Sequence, residues 1–255
     1  MTQMIKAPDS HKTNKFYNDL TSGHVKRGMW GKGSRFDAVK IAAKPSVQKF
    51  LVEVVTSYLG KEQEMLDIGC GPGGFLKAIA SHCGRITGID ITTSFVAECR
   101  AMIEGEGIRN ATVMQGSATA LPYINNGFDC VMMVDTIHHL DDVTTGLKEV
   151  FRVLKPGGTL IVFEPNKGNP LLALMCLFDR NEWGLLPLGS KRAYRRLFAK
   201  GYEELACEYN GLLIGPDSRF ALSLAEFMTR PGWRSFLGWM SPKIFMAFRK
   251  EDCGA

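Results

Sequence analysis

The chain has 255 residues, 45% of them hydrophobic and 22% charged, which is enough to bury a full core and excludes a disordered or fibrous chain. The net charge of +5 is modest, and outside the stretch from Lys191 to Lys200 the basic residues are scattered, so nucleic-acid binding is not expected. Seven cysteines, an odd number without a C-x-x-C pair, argue against a disulfide framework or a metal centre.

Reduced thiols fit a cytoplasmic protein. In keeping with this, Met1 to Lys6 lacks an apolar signal core, and the apolar run Leu171 to Phe178 is too short to span a bilayer. Residues 1–44 are polar, glycine-bearing and weakly periodic, and read as an N-terminal arm or lid. Pro45 suits the first turn of a helix reaching about Leu59. From there strand and helix signals alternate: strand 64–69, helix 73–82, strand 85–90, helix 93–106, strand 111–115, strand 128–134, helix 143–153 and strand 158–164. Such alternation predicts a parallel sheet with helices on both faces, and apolar runs such as Cys130 to Val134 suit strands buried on both sides. After Asn166 the rhythm breaks, and residues 167–200 read as an insertion after strand five that caps the active site. A helix at 190–200, a strand within 204–214, a helix at 219–229 and a last strand at 243–249 complete a domain over 45–255.

The stretch Met65-Leu66-Asp67-Ile68-Gly69-Cys70-Gly71-Pro72-Gly73-Gly74 reads as a strand that breaks into a glycine turn and then a helix. Gly69 and Gly71 remove the Cβ atoms that would keep a ligand off the backbone, and the helix start offers free N–H groups. Gly69, Gly71 and Gly74 also satisfy the dinucleotide pattern G-x-G-x-x-G, so the glycines alone do not choose a cofactor. Two acids narrow the choice. Asp67 lies two residues before the first glycine, where its carboxylate can accept from the turn amides or a ligand ammonium. Asp90 ends the next strand, 21 residues beyond Gly69, the separation suited to a carboxylate gripping ribose hydroxyls.

Further on stand Ala120-Leu121-Pro122, Gly127-Phe128-Asp129-Cys130-Val131, His138-His139-Leu140 and Leu154-Lys155-Pro156-Gly157-Gly158. As a set, from about Pro45 to Asn166, these motifs resemble the class I S-adenosylmethionine-dependent methyltransferases, in the subgroup acting mostly on small molecules. The resemblance implies a doubly wound, Rossmann-like, seven-stranded α/β sheet and S-adenosylmethionine as cofactor. It implies that Gly69 and Gly71 face the methionine part of the cofactor, Asp90 the ribose and Ile91 the adenine. Ser117 and Ala118 stand where the family often carries an acid for the adenine amino group, and that acid is missing here.

Asp135-Thr136-Ile137-His138-His139-Leu140 resembles the family's strand-four corner, which implies that Asp135 faces cofactor and acceptor. There His138 or His139 is either a general base or a shaping residue, with His138 the candidate taken. Glu164, at the tip of strand five, is a second base candidate or a loop-fixing carboxylate. Tyr17 and Trp30 in the arm are similar to lid aromatics that close over the cofactor, and Trp183 in the insertion would meet the substrate. The expected reaction is methyl transfer to a small, amphipathic or hydrophobic acceptor. The rival readings are a hydride-transferring, NAD-dependent dehydrogenase on the same glycines and a catalytically silent binding subunit. The apolar block beside the basic run leaves room for a peripheral membrane or lipid contact, or for an oligomer contact.

Overall fold

The strand signals assemble into one seven-stranded sheet in a computed structural model that describes residues 15, 18–19, 37–170, 172–174, 183–212, 219–230, 232 and 236–252. The strands are β1 (Glu64–Ile68), β2 (Arg85–Asp90), β3 (Ala111–Gln115), β4 (Phe128–Val134), β5 (Leu154–Pro165), β6 (Tyr202–Asn210) and β7 (Lys243–Lys250). Their order is β3-β2-β1-β4-β5-β7-β6. The first five run parallel, and β7 lies antiparallel between β5 and β6. This is the mostly parallel sheet expected from the sequence.

Alternation along the strands feeds two cores. Met65 and Met132 point to the face covered by α1 (Ala38–Ala42) and α3 (Gly74–Ala80), while Leu66 and Val131 point to the face covered by α5 (Val143–Val153) and α7 (Lys191–Leu197). All four side chains are fully buried, which explains why β1 and β4 read as near-continuous apolar runs. On the first face, α2 runs in three pieces, Pro45–Val47, a π-helical Gln48–Val52 and Glu53–Thr56. Its last turn ends earlier than the Leu59 suggested by sequence. The remaining helices are α4 (Thr93–Gly105), α6 (Leu185–Leu188) and α8 (Arg219–Thr229).

Two strands differ from the sequence reading for identifiable reasons. β5 starts at Leu154 rather than 158, because Leu154 pairs with Phe128 and the register then shifts before Cys130 pairs with Thr159. The Pro156-Gly157-Gly158 turn is thus a bulge inside the strand, with Gly157 at φ +72°. β6 starts at Tyr202, two residues before the expected span, because Tyr202 pairs with Lys250 of β7; it ends at Asn210, whose amide donates to the Phe50 carbonyl at 3.0 Å and accepts from the Leu212 amide at 2.7 Å. No helix among the described residues is long and apolar enough to cross a membrane.

Candidate active site

The sheet order reverses between β1 and β4, and a cleft opens there at the carboxyl ends of the strands, the place where open α/β sheets bind ligands. Gly69 leaves β1 at φ +75°, and a Cβ on it would stand 2.4 Å from Oγ1 of Thr136. Close approach of β1 to β4 therefore demands glycine. Gly71, at φ +54°, is the reverse case: apart from its own and its two chain neighbours' atoms, nothing lies within 4 Å of where its Cβ would be. The backbone there faces open cleft, a cradle that any side chain would fill. Asp90 holds this turn directly, since Oδ2 accepts from the Gly71 amide at 2.9 Å and Oδ1 from the Thr92 amide at 2.8 Å. Burial raises its pKa above the usual carboxylate range, with the Thr92 and Gly71 amides pulling the other way.

Ile91, Ser117 and Ala118 line the same cleft, together with Gly69, Gly71, Asp90 and Asp135. The Ser117 hydroxyl lies 2.8 Å from that of Thr119 and accepts from the Thr119 amide at 3.2 Å, so it also fixes its own loop. Asp67 is not part of the lining. It lies buried beneath the glycine turn, and its Oδ2 has no hydrogen-bond partner. Burial, with the Asp90 charge adding to it, pushes the Asp67 pKa up to about 7.

The β4 corner is built from a different side. Asp135 sits in the left-handed region at φ +53°, paired with the ammonium of Lys243 on β7, while its amide donates to the Phe163 carbonyl at 2.9 Å. Thr136 Oγ1 donates within 3.0 Å of the Ile68 and Val134 carbonyls, tying β4 to the end of β1. Below them Glu164 is fully buried and fully engaged. Its Oε1 accepts from the Thr136 and Ile137 amides at 2.8 and 2.7 Å; its Oε2 lies 2.6 Å from Nδ1 of His138 and accepts from the Tyr194 hydroxyl at 3.3 Å. Burial alone would raise the Glu164 pKa, but the His138 ring and the two amides outweigh it and hold the group below its usual value.

The two base candidates read from sequence are thus brought together, but under the floor of the cleft rather than at its surface. The histidine that lines the cleft is His139, its ring centroid 3.9 Å from that of His138 with the planes tilted by 42°. The sequence reading took His138 as the base candidate, whereas the 3-10 turn Ile137–His139, with the Ile137 amide donating to Glu164, buries His138 and leaves His139 lining the cleft.

Other lining residues had no sequence signal. Ile41 reaches the cleft from α1 by packing of a distant segment, while Phe75 enters from the start of α3 and Phe95 from the first turn of α4. Tyr17 and Trp30 lie outside the described residues. Asn18, next to Tyr17 in sequence, is described, and it accepts from the amide and hydroxyl of Ser94 at 3.3 and 2.9 Å, so this part of the arm touches the start of α4. Trp183 is half exposed and does not line the cleft. The next residue, Gly184, packs on the His138 carbonyl so tightly that a Cβ would stand 1.9 Å from it, which seats the insertion on the β4 corner.

Residues 66–162 match a family described as a methyltransferase domain. The ubiquinone/menaquinone biosynthesis C-methyltransferase UbiE of Vibrio cholerae serotype O1 is 31% identical over 175 residues, covering 67% of this chain and 59% of that protein. The O-methyltransferase resE of Aspergillus sclerotiorum is 29% identical over 147 residues, 56% of this chain and 54% of that protein. The chain spans about half the length of the curated relatives it matches. In fold it is similar to a SAM-dependent methyltransferase from Aquifex aeolicus, with a TM-score of 0.58 at 19% identity over 84% of this chain and 98% of that one. The matched segment begins on β1 and ends inside β5, enclosing the glycine turn, Asp90 and the β4 corner; this part of the chain is a methyltransferase domain, and the matches together support a class I S-adenosylmethionine-dependent methyltransferase.

Proposed function

We propose that this chain transfers the methyl group of S-adenosylmethionine to a small, apolar or amphipathic acceptor. The observation that carries the reading is the cradle at Gly71, open to the cleft and gripped from behind by Asp90 at the switch point of the sheet. That geometry fits the cofactor: exposed turn amides suit its methionine carboxylate, and the Asp90 carboxylate stands at the strand end suited to ribose hydroxyls. Ile91 and Ala118 offer apolar contact to the adenine, with Ser117 beside them. When bound, the cofactor supplies an electrophilic methyl on a sulfonium.

The protein's own part is alignment and exclusion of water. Asp135 and Thr136 fix the β4 edge beside the cofactor loop, and His139 faces the space left for an acceptor. A proton leaving the acceptor would pass to His139, while Glu164, through His138 and the corner amides, acts as a positioning residue. The insertion seated on this corner supports an apolar acceptor, as do the names of the relatives, one a quinone C-methyltransferase and one an O-methyltransferase.

Calorimetry with S-adenosylhomocysteine and with NAD tests the reading. Binding of the first and no response to the second is expected. Tight NAD binding with no response to S-adenosylhomocysteine would overturn it in favour of hydride transfer.

A further inference from the structure

Exposed aromatic side chains and positive charge both lie in the segments between β5 and β7. The exposed phenylalanine and tryptophans among the described residues are Trp183, Phe236 and Trp239, with Phe236 77% exposed. Leu174 and Leu186 are exposed as well. The segments that carry Leu186 and Trp239 are joined by one turn after β5. Asn166 Nδ2 donates to the Trp239 and Ser241 carbonyls at 2.6 and 2.9 Å. Lys167 donates from Nζ to the Leu186 carbonyl at 2.7 Å and from its amide to the Gly189 carbonyl at 2.9 Å. Trp239 and Leu186 therefore flank the same turn, and Trp183 adjoins the β4 corner through Gly184.

The charge is as concentrated as the apolar surface. Between residues 166 and 200 stand seven basic residues and two acidic ones, so this stretch carries as much net positive charge, +5, as the whole chain. On α7, Arg195 is matched by a two-pronged pair with Glu204 at 2.7 Å, and Lys191 lies 4.0 Å over the Tyr209 ring. Arg192, Arg196 and Lys200 are exposed.

We propose that this rim docks on an anionic lipid bilayer, with Trp183, Phe236 and Trp239 entering the interface and Lys167, Arg192 and Arg196 meeting the headgroups. Aromatic rings favour the headgroup level, and clustered cations add attraction to an anionic leaflet. A second copy of the chain fits this face poorly, because a two-fold contact would set the same positive stretch against itself. Docking would hold the cleft mouth at the membrane surface, from which an apolar acceptor could enter without crossing water. The inference stands apart from methyl transfer, because its test reads lipid partition alone.

The test is sedimentation of the full chain with vesicles of phosphatidylcholine alone and of phosphatidylcholine mixed with phosphatidylserine. Partition to the mixed vesicles is expected, weakening as salt is raised, with little partition to the neutral ones. The pair Arg192→Glu and Arg196→Glu should lower it by about tenfold or more, at roughly fivefold per cation near an anionic surface. Trp183→Ala with Phe236→Ala should lower it by a similar factor while circular dichroism stays that of the parent. Failure to partition, or partition indifferent to both pairs, would overturn the proposal. So would dissociation of an oligomer by the aromatic pair, which would make the face a contact between copies.

Discussion

Two buried carboxylates stand at the carboxyl ends of neighbouring parts of the sheet, and their surroundings are opposite. Asp67, under the glycine turn, has an oxygen with no partner and a pKa pushed up to about 7 by burial and by Asp90. Glu164, under the β4 corner, is equally buried but accepts from two amides and a hydroxyl and lies against the His138 ring, and its pKa is held low despite burial. Burial sets the penalty in both places, and the supply of donors decides the sign. The β4 corner is built around its carboxylate, whereas the glycine turn closes over an acid it does not satisfy. The turn is left to be held by Asp90 and, on the function proposed above, by a ligand.

The largest expected effect is at Glu164. Glu164→Ala removes the acceptor for the Thr136 and Ile137 amides, His138 and Tyr194, leaving several buried donors unpaired at once. A loss of about 3–5 kcal/mol is expected, as for breaking a buried ionic network. Urea unfolding at neutral pH measures it; a loss under about 1 kcal/mol would show that the corner does not depend on this carboxylate.

At Asp67 the sign reverses. A group whose folded pKa is raised contributes stability that is present below its unfolded pKa and lost as pH rises through the folded one. From an ordinary value of 3.8 to about 7, stability of the ligand-free protein should therefore fall as pH climbs through that window, by at most about 4 kcal/mol. Glu164, with its pKa lowered, works oppositely: its contribution is present above its unfolded pKa and is lost in acid. Asp67→Asn should flatten the decline between mildly acidic and neutral pH while leaving the acid limb in place. Unfolding curves at several pH values decide the matter, and an unchanged slope in the variant would remove Asp67 as its source.

Asp90→Ala comes next. It deletes the grip on Gly71 and Thr92 as well as the carboxylate available to a ribose, so affinity for S-adenosylhomocysteine should fall by about 1.5–3 kcal/mol, tenfold or more. Calorimetry reads this directly. An unchanged dissociation constant would place the ribose elsewhere in the cleft.

What the sequence showed of these two corners follows from how each is built. The glycine turn is local: strand, positive-φ glycines and helix lie within Glu64–Ala80, and Asp90 ends the adjacent strand, so residue types and spacing reveal them. The β4 corner is assembled by topology. Lys243 reaches Asp135 across 108 positions, through a β7 strand that inserts between β5 and β6, and Tyr194 reaches Glu164 across 30 from α7. No short-range pattern encodes such pairs. A lysine opening the otherwise apolar strand Ile244 to Phe248 was the one hint that a buried charge needed a partner. His139 was legible only as half of a doublet, because the ring that faces the cleft is selected by the bond between His138 and Glu164.

The smallest effect tests how far the β4 corner depends on the insertion. Tyr194 is fully buried on α7, and burial together with Glu164 keeps its phenol protonated well above the usual range, so it serves as a donor to Oε2. The bond is long at 3.3 Å, and Oε2 also lies against the His138 ring at 2.6 Å. Tyr194→Phe keeps the ring that fills the core and removes only this bond, so a loss of about 0.5–1 kcal/mol is expected, at the low end for a hydrogen bond. Combining it with Glu164→Gln in a double-mutant cycle isolates the coupling between helix and corner. A coupling near zero would mean that α7 sits on the corner by packing alone. A coupling well above 1 kcal/mol would make the hydroxyl a working part of the network, and the insertion a structural element of the site rather than a cover laid over it.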